Sequence, residues 1–464
     1  MASLTTGSTG RTFRGFPDKT MSSIGRELSV LVPFSDNNPE EEDRLRQYPL
    51  VQVKQVVYSN IDDNTLLLDY VKQVMKTVKD RGISAILTLS DISTFVHSAV
   101  VRDFPSVSGP SVEACFLALH KAYTREHLEP TTELHKRKPV PYCVVDLDSP
   151  TVLADARKAL DTVGFPACVK PATGYASFGV KRVNSCAEMS DALDSLRTVR
   201  DEHPNFLTSP SASFFRSYYE EYLDVTKYPL TLRDVVVVEP YMDAESLYAV
   251  DGCVVNGTIV HWAIADTLRF DEEDARFASM ILPTTADDGL QGEIWRFYDA
   301  VLTRMIQFGF DNSFAMIEVF KMKDGEIRLV EVNARANRLH HAVYSACLEP
   351  GRQGHASMSA ACGIQFRPPV PTGKHGIVYP VFFKRPEKPG NLMDFDVVKK
   401  LQNDSDVDFL LLAGPDDDMS TLLSNTHFCA VTVCADSRKA MMNRLAEVLR
   451  LTVKKPEKLT YPMY

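Results

Sequence analysis

The stretch Phe314–Arg338, FAMIEVFKMKDGEIRLVEVNARANR, sets the reading of the whole chain. Two runs, FAMIEVFKM and IRLVEVNA, flank a polar Asp324–Gly325 pair, a strong hairpin signal. A two-residue turn there places Lys323 against Glu326 and, counting outward, Glu318 against Glu331. Directly opposed residues stand roughly 4.5–5.5 Å apart at Cβ. Asn333 and Arg335 follow Glu331 at steps of two, so all lie on one sheet face. Two facing carboxylates destabilise a sheet unless something positive lies between them. Converging oxygen ligands suit Mg2+, which keeps nucleotide phosphates among its partners. The alternative is a solvent-facing hairpin with two surface glutamates, and the apolar neighbours argue against it.

The 464 residues allow two to four domains with real cores. At 44% hydrophobic and 24% charged, the composition is that of an ordinary soluble globular protein. A net charge of −10 and a pI near 5.6 argue against a general nucleic-acid binder, though not against a local basic pocket. No apolar run is long enough to span a bilayer. The nine cysteines are scattered, often within apolar strands, as at Cys168, Cys253, Cys429 and Cys434, and form no CxxC pair. Reduced thiols in the cytoplasm are expected, with neither a disulfide framework nor a zinc site. The start, MASLTTGSTGRTFRG, has no apolar core of a secretory signal. It reads as a disordered tail, and its bias would also suit a transit peptide.

Strand and helix signals alternate through the first third: LSVLVPF, then PLVQVKQVVYS, a helix near Asn64–Asp80, and ISAILTLS. That alternation predicts a doubly wound parallel sheet. No GxGxxG follows the first strand, so a dinucleotide fingerprint is absent. Gly109–Leu128 has helical spacing with Ser111 as N-cap, and Lys121 and Arg125 share its face as either solvated cations or phosphate partners. A strand over Pro139–Val145 and a helix ending at Gly164 follow.

FPACVKPATGYASFGVKRV (Phe165–Val183) resembles the start of a P-loop but departs from it. Val180 intrudes before Lys181, Arg182 stands where Ser or Thr belongs, and the loop joins strand to strand. A small loop between Lys170 and Lys181 can still fold over a polyphosphate with backbone N–H groups and ammonium charge. Asn205–Leu232 reads as aromatic, irregular and peripheral. The buried run VVVV leads into Glu239–Pro240–Tyr241–Met242, a candidate adenine-edge site, and alternating strands around an Asp251–Gly252 turn come next. His261–Leu290, carrying Arg269, reads as a long loop, and IWRFYDAVLTRMIQFGF as an amphipathic helix. Beyond the hairpin, a helix begins at Leu339 with His340 and His341 in its first turn. The last hundred residues, with YPVFF, FLLLAG, FCAVTVCA and a helix opening at Asp436–Ser437, read as a small α+β lobe.

The order of these pieces resembles the ATP-grasp superfamily of carboxylate–amine ligases over roughly Gly109 to Cys347. It runs from Lys121 through Lys170 before a Gly loop and strand-end Glu239 to Glu318 and the Glu331–Val332–Asn333–Ala334–Arg335 strand. Within that superfamily it looks most like the carnosine synthase and L-amino-acid ligase branch. The resemblance implies a multidomain α/β and α+β architecture. After a tail at 1–27 come a Rossmann-like pre-ATP-grasp domain at 28–120, an ATP-grasp domain at 121–350 with a lid at about 139–234, and a completing α+β lobe at 351–464. It implies ATP and Mg2+, for which Mn2+ could substitute. Lys121 and Lys170 would contact phosphates, under a closing loop that includes Thr173, Gly174, Ser177 and Gly179. Glu239, Tyr241 and Met242 would hold adenine, and Glu245 the ribose. Glu318, Glu331 and Asn333 would ligate the metal, and Arg335 would act with Lys170 in catalysis. Relatives often follow that arginine with Gly-Gly. Here Ala336–Asn337–Arg338–Leu339–His340–His341 follows, so Arg338 or His340, or Arg269, would bind a substrate carboxylate. The implied partners are a small-molecule acid and an amine, with neither nucleic acid nor membrane, and a homodimer by analogy. A mycosporine-type ligase activating an unusual acid and a non-catalytic nucleotide-binding regulator are the alternatives.

Overall fold

The structure is a computed structural model that describes residues 27–33, 45–46, 52–61, 65–130, 139–174, 177, 179–202, 209–210, 212–269, 277–349, 353–384, 387–419 and 427–460. The expected N-terminal tail, three residues of the Gly loop and the side chain of Arg338 lie outside the described residues.

β1 (Glu27–Pro33), β2 (Gln52–Ser59) and β3 (Ala85–Ile86) form the expected parallel sheet, in the order β2-β1-β3. β1 is buried beyond its first residue, Ser29 included, as its place at the centre of the sheet requires. Helix Leu67–Arg81 crosses between strands and stops at Gly82, whose φ of +60° suits glycine. Helix Asp91–Asp103 opens on a Ser90–Ser93 capping box.

Ser111 caps helix Val112–Leu119 as expected, but that helix does not run on to Leu128. His120 turns extended, with ψ at 99°, and the chain resumes as a single turn (Lys121–Tyr123) and a π-helix (Thr124–Leu128). The break aims both cations inward: Arg125 is 4% exposed, so it is not a solvated surface charge.

β4 (Cys143–Asp146), β5 (Ala167–Pro171), β6 (Lys181–Val183) and β7 (Val235–Pro240) make an antiparallel sheet, ordered β4-β7-β5-β6, in the segment where the resemblance expects a lid. Helices Val152–Val163 and Cys186–Glu202 back it. Val235–Val238 are all buried, each contributing roughly 1.5–3 kcal/mol relative to an exposed position. The segment expected to be peripheral is core. Helix Ser213–Tyr222 buries Phe215, Tyr218 and Tyr219 completely, and Tyr218 donates to the Phe95 carbonyl. Their spacing of three and four was the overlooked sign of an amphipathic helix.

The largest sheet takes up β8 (Ala244–Val255), β9 (Thr258–Arg269), β10 (Phe277–Leu282), β11 (Ser313–Met322) and β12 (Ile327–Asn333). β13 (Leu348–Glu349) and β14 (Val370–Pro371) form a separate ribbon, and β15 (His375–Phe382), β16 (Val407–Leu411) and β17 (His427–Ala435) return to the large sheet. Its order is β12-β11-β8-β9-β10-β15-β17-β16, and every pairing is antiparallel. Much of the expected long loop around Arg269 is therefore β9 and β10.

Two turns differ from expectation. The β8–β9 turn is Asn256–Gly257, both at positive φ, and Asp251–Gly252 lies mid-strand. Gly252 is there for space: a Cβ would sit 2.5 Å from the Tyr298 hydroxyl and 2.6 Å from the Val260 carbonyl oxygen. The β11–β12 turn is also longer than two residues. Met322 N–H donates to Glu326 O, Gly325 takes φ +89°, and Lys321 pairs with Ile327. That is one step out of the predicted register. A bulge at Val330 restores it, so Glu318 does pair with Glu331.

Register sorts the sheet's two faces. Tyr248, Val250, Ile317, Val319 and Leu329 pack against helix Asp288–Gln307 and the N-terminal lobe. The opposite face runs in rows: Leu247 and Phe320, then Ala249, Glu318 and Glu331, then Asp251, Met316 and Asn333. Helix His341–Cys347 covers the third row, and the lid stands over the first two.

Candidate active site

Between the lid sheet and this face lies an open cleft of about 980 Å3. Cys168, Lys170 and Pro171 of β5, Arg182 of β6 and Glu239 of β7 line one wall; Leu247, Arg269, Glu318, Phe320 and Glu331 line the other. Tyr241 and Met242, on the strap between sheets, close one end.

The floor carries the opposed acids. Burial and the facing Glu331 carboxylate push the Glu318 carboxyl up to about 8. Asn333 donates from Nδ2 to Glu331 Oε1 (3.1 Å) and accepts at Oδ1 from Arg335 Nη2 (3.1 Å). The structure thus brings together the three expected metal ligands, with the Asn333 oxygen engaged by arginine rather than turned to the acids. Among the described residues, no group of three or more His, Cys, Asp or Glu side chains could hold a metal ion by itself. Two hard oxygen donors that repel each other fit Mg2+, whose remaining ligands are typically water and phosphate.

The cations gather above. Lys121 Nζ donates to the Gly174 carbonyl (3.1 Å), tying its helical turn to the Gly loop. Burial holds its ammonium below the usual lysine range, and Glu331 opposes that effect. Gly174 and Ser177 line the cleft, while Thr173 and Gly179 do not. Gly179 abuts the lid, where a Cβ would lie 2.6 Å from Leu196.

Glu239 departs from its expected adenine role. Arg125 grips it twice, Nε to Oε1 at 2.8 Å and Nη2 to Oε2 at 3.2 Å, while Lys170 Nζ sits 2.7 Å from Oε2. Burial would raise this carboxyl, but Arg125 and Lys170 outweigh it and draw it down to about 2. The Glu239 side chain therefore anchors Lys170 and has no exposed edge for a base. The neighbouring backbone through Met242 remains at the cleft end. There Arg182 lies 4.5 Å over the Tyr241 ring and Arg269 5.3 Å over Phe320. Arg269 is thus a wall of the Tyr241–Met242 end, two rows from Asn333, and not a substrate residue beyond the acids. Glu245 pairs with Lys321 at 2.6 Å and lines a neighbouring depression instead of the cleft.

Past the acids, His340 is also committed. Leu339 N–H donates to Asn337 Oδ1, so Asn337 Nδ2 donates to His340 Nε2 (3.0 Å). His340 Nδ1–H then donates to Asp251 Oδ2 (3.2 Å), which Tyr344 also serves. At 3% exposure His340 braces the turn after β12 and is not placed to bind a substrate carboxylate. Sequence reasoning missed Asp251, taken for a turn residue. It also missed Asp91, which meets Arg335 from the N-terminal lobe with Nε–Oδ1 at 3.0 Å. Only a partner 244 positions away reveals Asp91, and no local pattern announces it.

No protein-family model matches the chain, and no curated protein matches it in sequence. Solved structures match it in fold. An L-amino acid ligase from Bacillus licheniformis superposes with a TM-score of 0.65 at 12% identity, covering 94% of this chain and 98% of its own. An N5-carboxyaminoimidazole synthase from Aspergillus clavatus, in complex with ADP and 5-aminoimidazole ribonucleotide, gives 0.63 at 14% identity, covering 92% and 98%. The biotin carboxylase domain of a Hydrogenobacter thermophilus 2-oxoglutarate carboxylase, with MgADP and bicarbonate, gives 0.60 at 13%, covering 92% and 91%. The fold is the ATP-grasp fold. The likeness extends over the N-terminal lobe, lid and large sheet alike.

Proposed function

We propose that this protein is an ATP-dependent carboxylate–amine ligase that joins an acid to an amino acid or amine through an acyl phosphate. The observation that carries it is the Glu318–Glu331 pair on the floor of a cleft whose other wall bears Lys121 and Lys170. Glu318 and Glu331, with Asn333 once its amide turns, would hold Mg2+, which when bound neutralises phosphate charge. Lys121 and the Gly loop bind phosphates. Lys170, steadied by Glu239, adds a fixed positive charge. Tyr241, Met242, Leu247 and Phe320 receive the base between guanidinium-capped rings. That leaves the Asn333–Arg335 end for the acid and the amine.

The substrate carboxylate oxygen attacks the γ-phosphorus, and the bond to the ADP oxygen breaks. The amine then attacks the acyl carbon, phosphate leaves, and the amine proton ends on phosphate. The chain supplies position and countercharge, with Arg335 beside the acyl phosphate. The test is ADP release across paired acids and amines, with products read by mass. A pair that yields an amide, lost in Glu331→Gln, supports the reading. ADP release that persists in Glu331→Gln removes the metal assignment. A wild type that binds nucleotide yet turns over no pair points to the regulator instead.

A further inference from the structure

Arg335 is not free. Asp91 clamps it through two bonds, Nε–Oδ1 at 3.0 Å and Nη2–Oδ2 at 3.2 Å, and Asn333 Oδ1 takes a second bond from Nη2 at 3.1 Å. Both partners of the clamp are largely enclosed, with side chains 15% and 13% exposed. Asp91 is itself fixed. It is the first residue of helix Asp91–Asp103, directly after the Ser90 cap, and Thr94 one turn on reaches the Ala334 carbonyl at 3.5 Å. The first turn of a helix in the N-terminal lobe therefore docks on the exit of β12, two residues beyond Asn333.

A guanidinium is planar and permanently charged, so a two-point carboxylate contact fixes its plane as well as its place. Here Nε and Nη2 are spent on protein, and Nη1 makes no hydrogen bond to a described residue. Nη1 is thus the edge left for a ligand. Enclosing an arginine without a countercharge is costly, and Asp91 removes that cost before any substrate arrives. Preorganised charge of this kind accelerates a reaction because nothing must reorient as charge shifts.

We propose that Asp91 is a positioning residue, lent by the N-terminal lobe, that aims Arg335 Nη1 at the phosphoryl group in transfer. This rests on the ligase reading above. It assigns the N-terminal domain a part in the chemistry and not only in packing. Asp91 touches no reacting atom, so its effect must pass through Arg335.

The test is a cycle of wild type, Asp91→Asn, Arg335→Gln and the double variant, read by ADP release with the pair found in the screen. Asp91→Asn is expected to lower kcat about tenfold and leave KM for MgATP within about twofold. In the Arg335→Gln background it should change kcat by less than about twofold, because the residue it acts through is gone. Effects that multiply, or a loss confined to melting temperature, overturn the proposal. Should Asp91→Asn fail to fold, Asp91→Ser takes its place in the helix's first turn. A second readout needs no turnover. In 15N-arginine spectra of the full chain, the Arg335 Nε–H signal, identified by its loss in Arg335→Gln, should resist exchange in wild type and not in Asp91→Asn. An unprotected signal in wild type, or equal protection in the variant, overturns the clamp. A protected signal in a wild type that turns over nothing is instead the failure of the ligase reading, and the role given to Asp91 falls with it.

Discussion

Glu239 and Glu318 stand on facing walls of one cleft, and their surroundings pull them in opposite directions. Glu239 is enclosed between Arg125 and Lys170, which draw its carboxyl down to about 2. Glu318 faces a second carboxylate, which together with burial pushes its own up to about 8. A carboxylate whose charge is already matched holds the protein together. One whose charge is unmatched awaits something from outside. Asp251 is partly matched: its donors are Tyr344 and His340, and its Oδ1 has no hydrogen-bond partner among the described residues.

Changes that break this contrast should act in order of how much charge they uncover. Glu239→Gln leaves buried Lys170 without its countercharge and Arg125 with only Glu129, 3.8 Å away, and should cost about 3–5 kcal/mol in urea denaturation. A loss below about 1 kcal/mol would mean the triad is not the anchor described. The same group sets an acid limit. Its folded value lies below its unfolded one, so its contribution is whole above pH 4.5 and fades as pH falls toward 2. That amounts to about 3 kcal/mol, and the stability gap between wild type and Glu239→Gln should narrow over that window. Tyr344→Phe removes one donor from buried Asp251 and should cost about 1.5–3 kcal/mol, measured the same way. Glu318→Gln should do the reverse. Without nucleotide it removes a carboxyl that burial and Glu331 keep from ionising, and leaves stability unchanged or up to about 1 kcal/mol higher. A clear destabilisation would show that Glu318 is structural.

How much of this was legible depended on whether the signal was local. The parallel sheet, the lid strands and the hairpin came from alternation and turn residues, which act over a few positions. The Glu318–Glu331 pairing was right although the turn was not, because the bulge at Val330 cancelled the longer loop. Asp251–Gly252 and Asn256–Gly257 are both strong turn signals five residues apart, and only the second turns. What decides between them is Tyr298 pressing on Gly252, a contact from another element. The charged network was hardest to see. Lys170, Glu239 and Arg335 were each read as site residues in separate roles, for phosphate, adenine and the phosphoryl group, but their ion partners Arg125 and Asp91 come from distant segments. The break at His120 that turns Arg125 inward has no sequence mark that we can identify.

The proposed ligase activity requires the facing acids to be a metal–nucleotide seat. The direct measurement is calorimetric titration of ADP into the wild type and Glu318→Gln, with Mg2+ and with chelator. Mg2+ should tighten ADP binding at least about tenfold in the wild type and leave the variant's affinity unchanged. Equal affinity with and without Mg2+ in the wild type, or a variant that keeps the full Mg2+ effect, would contradict it.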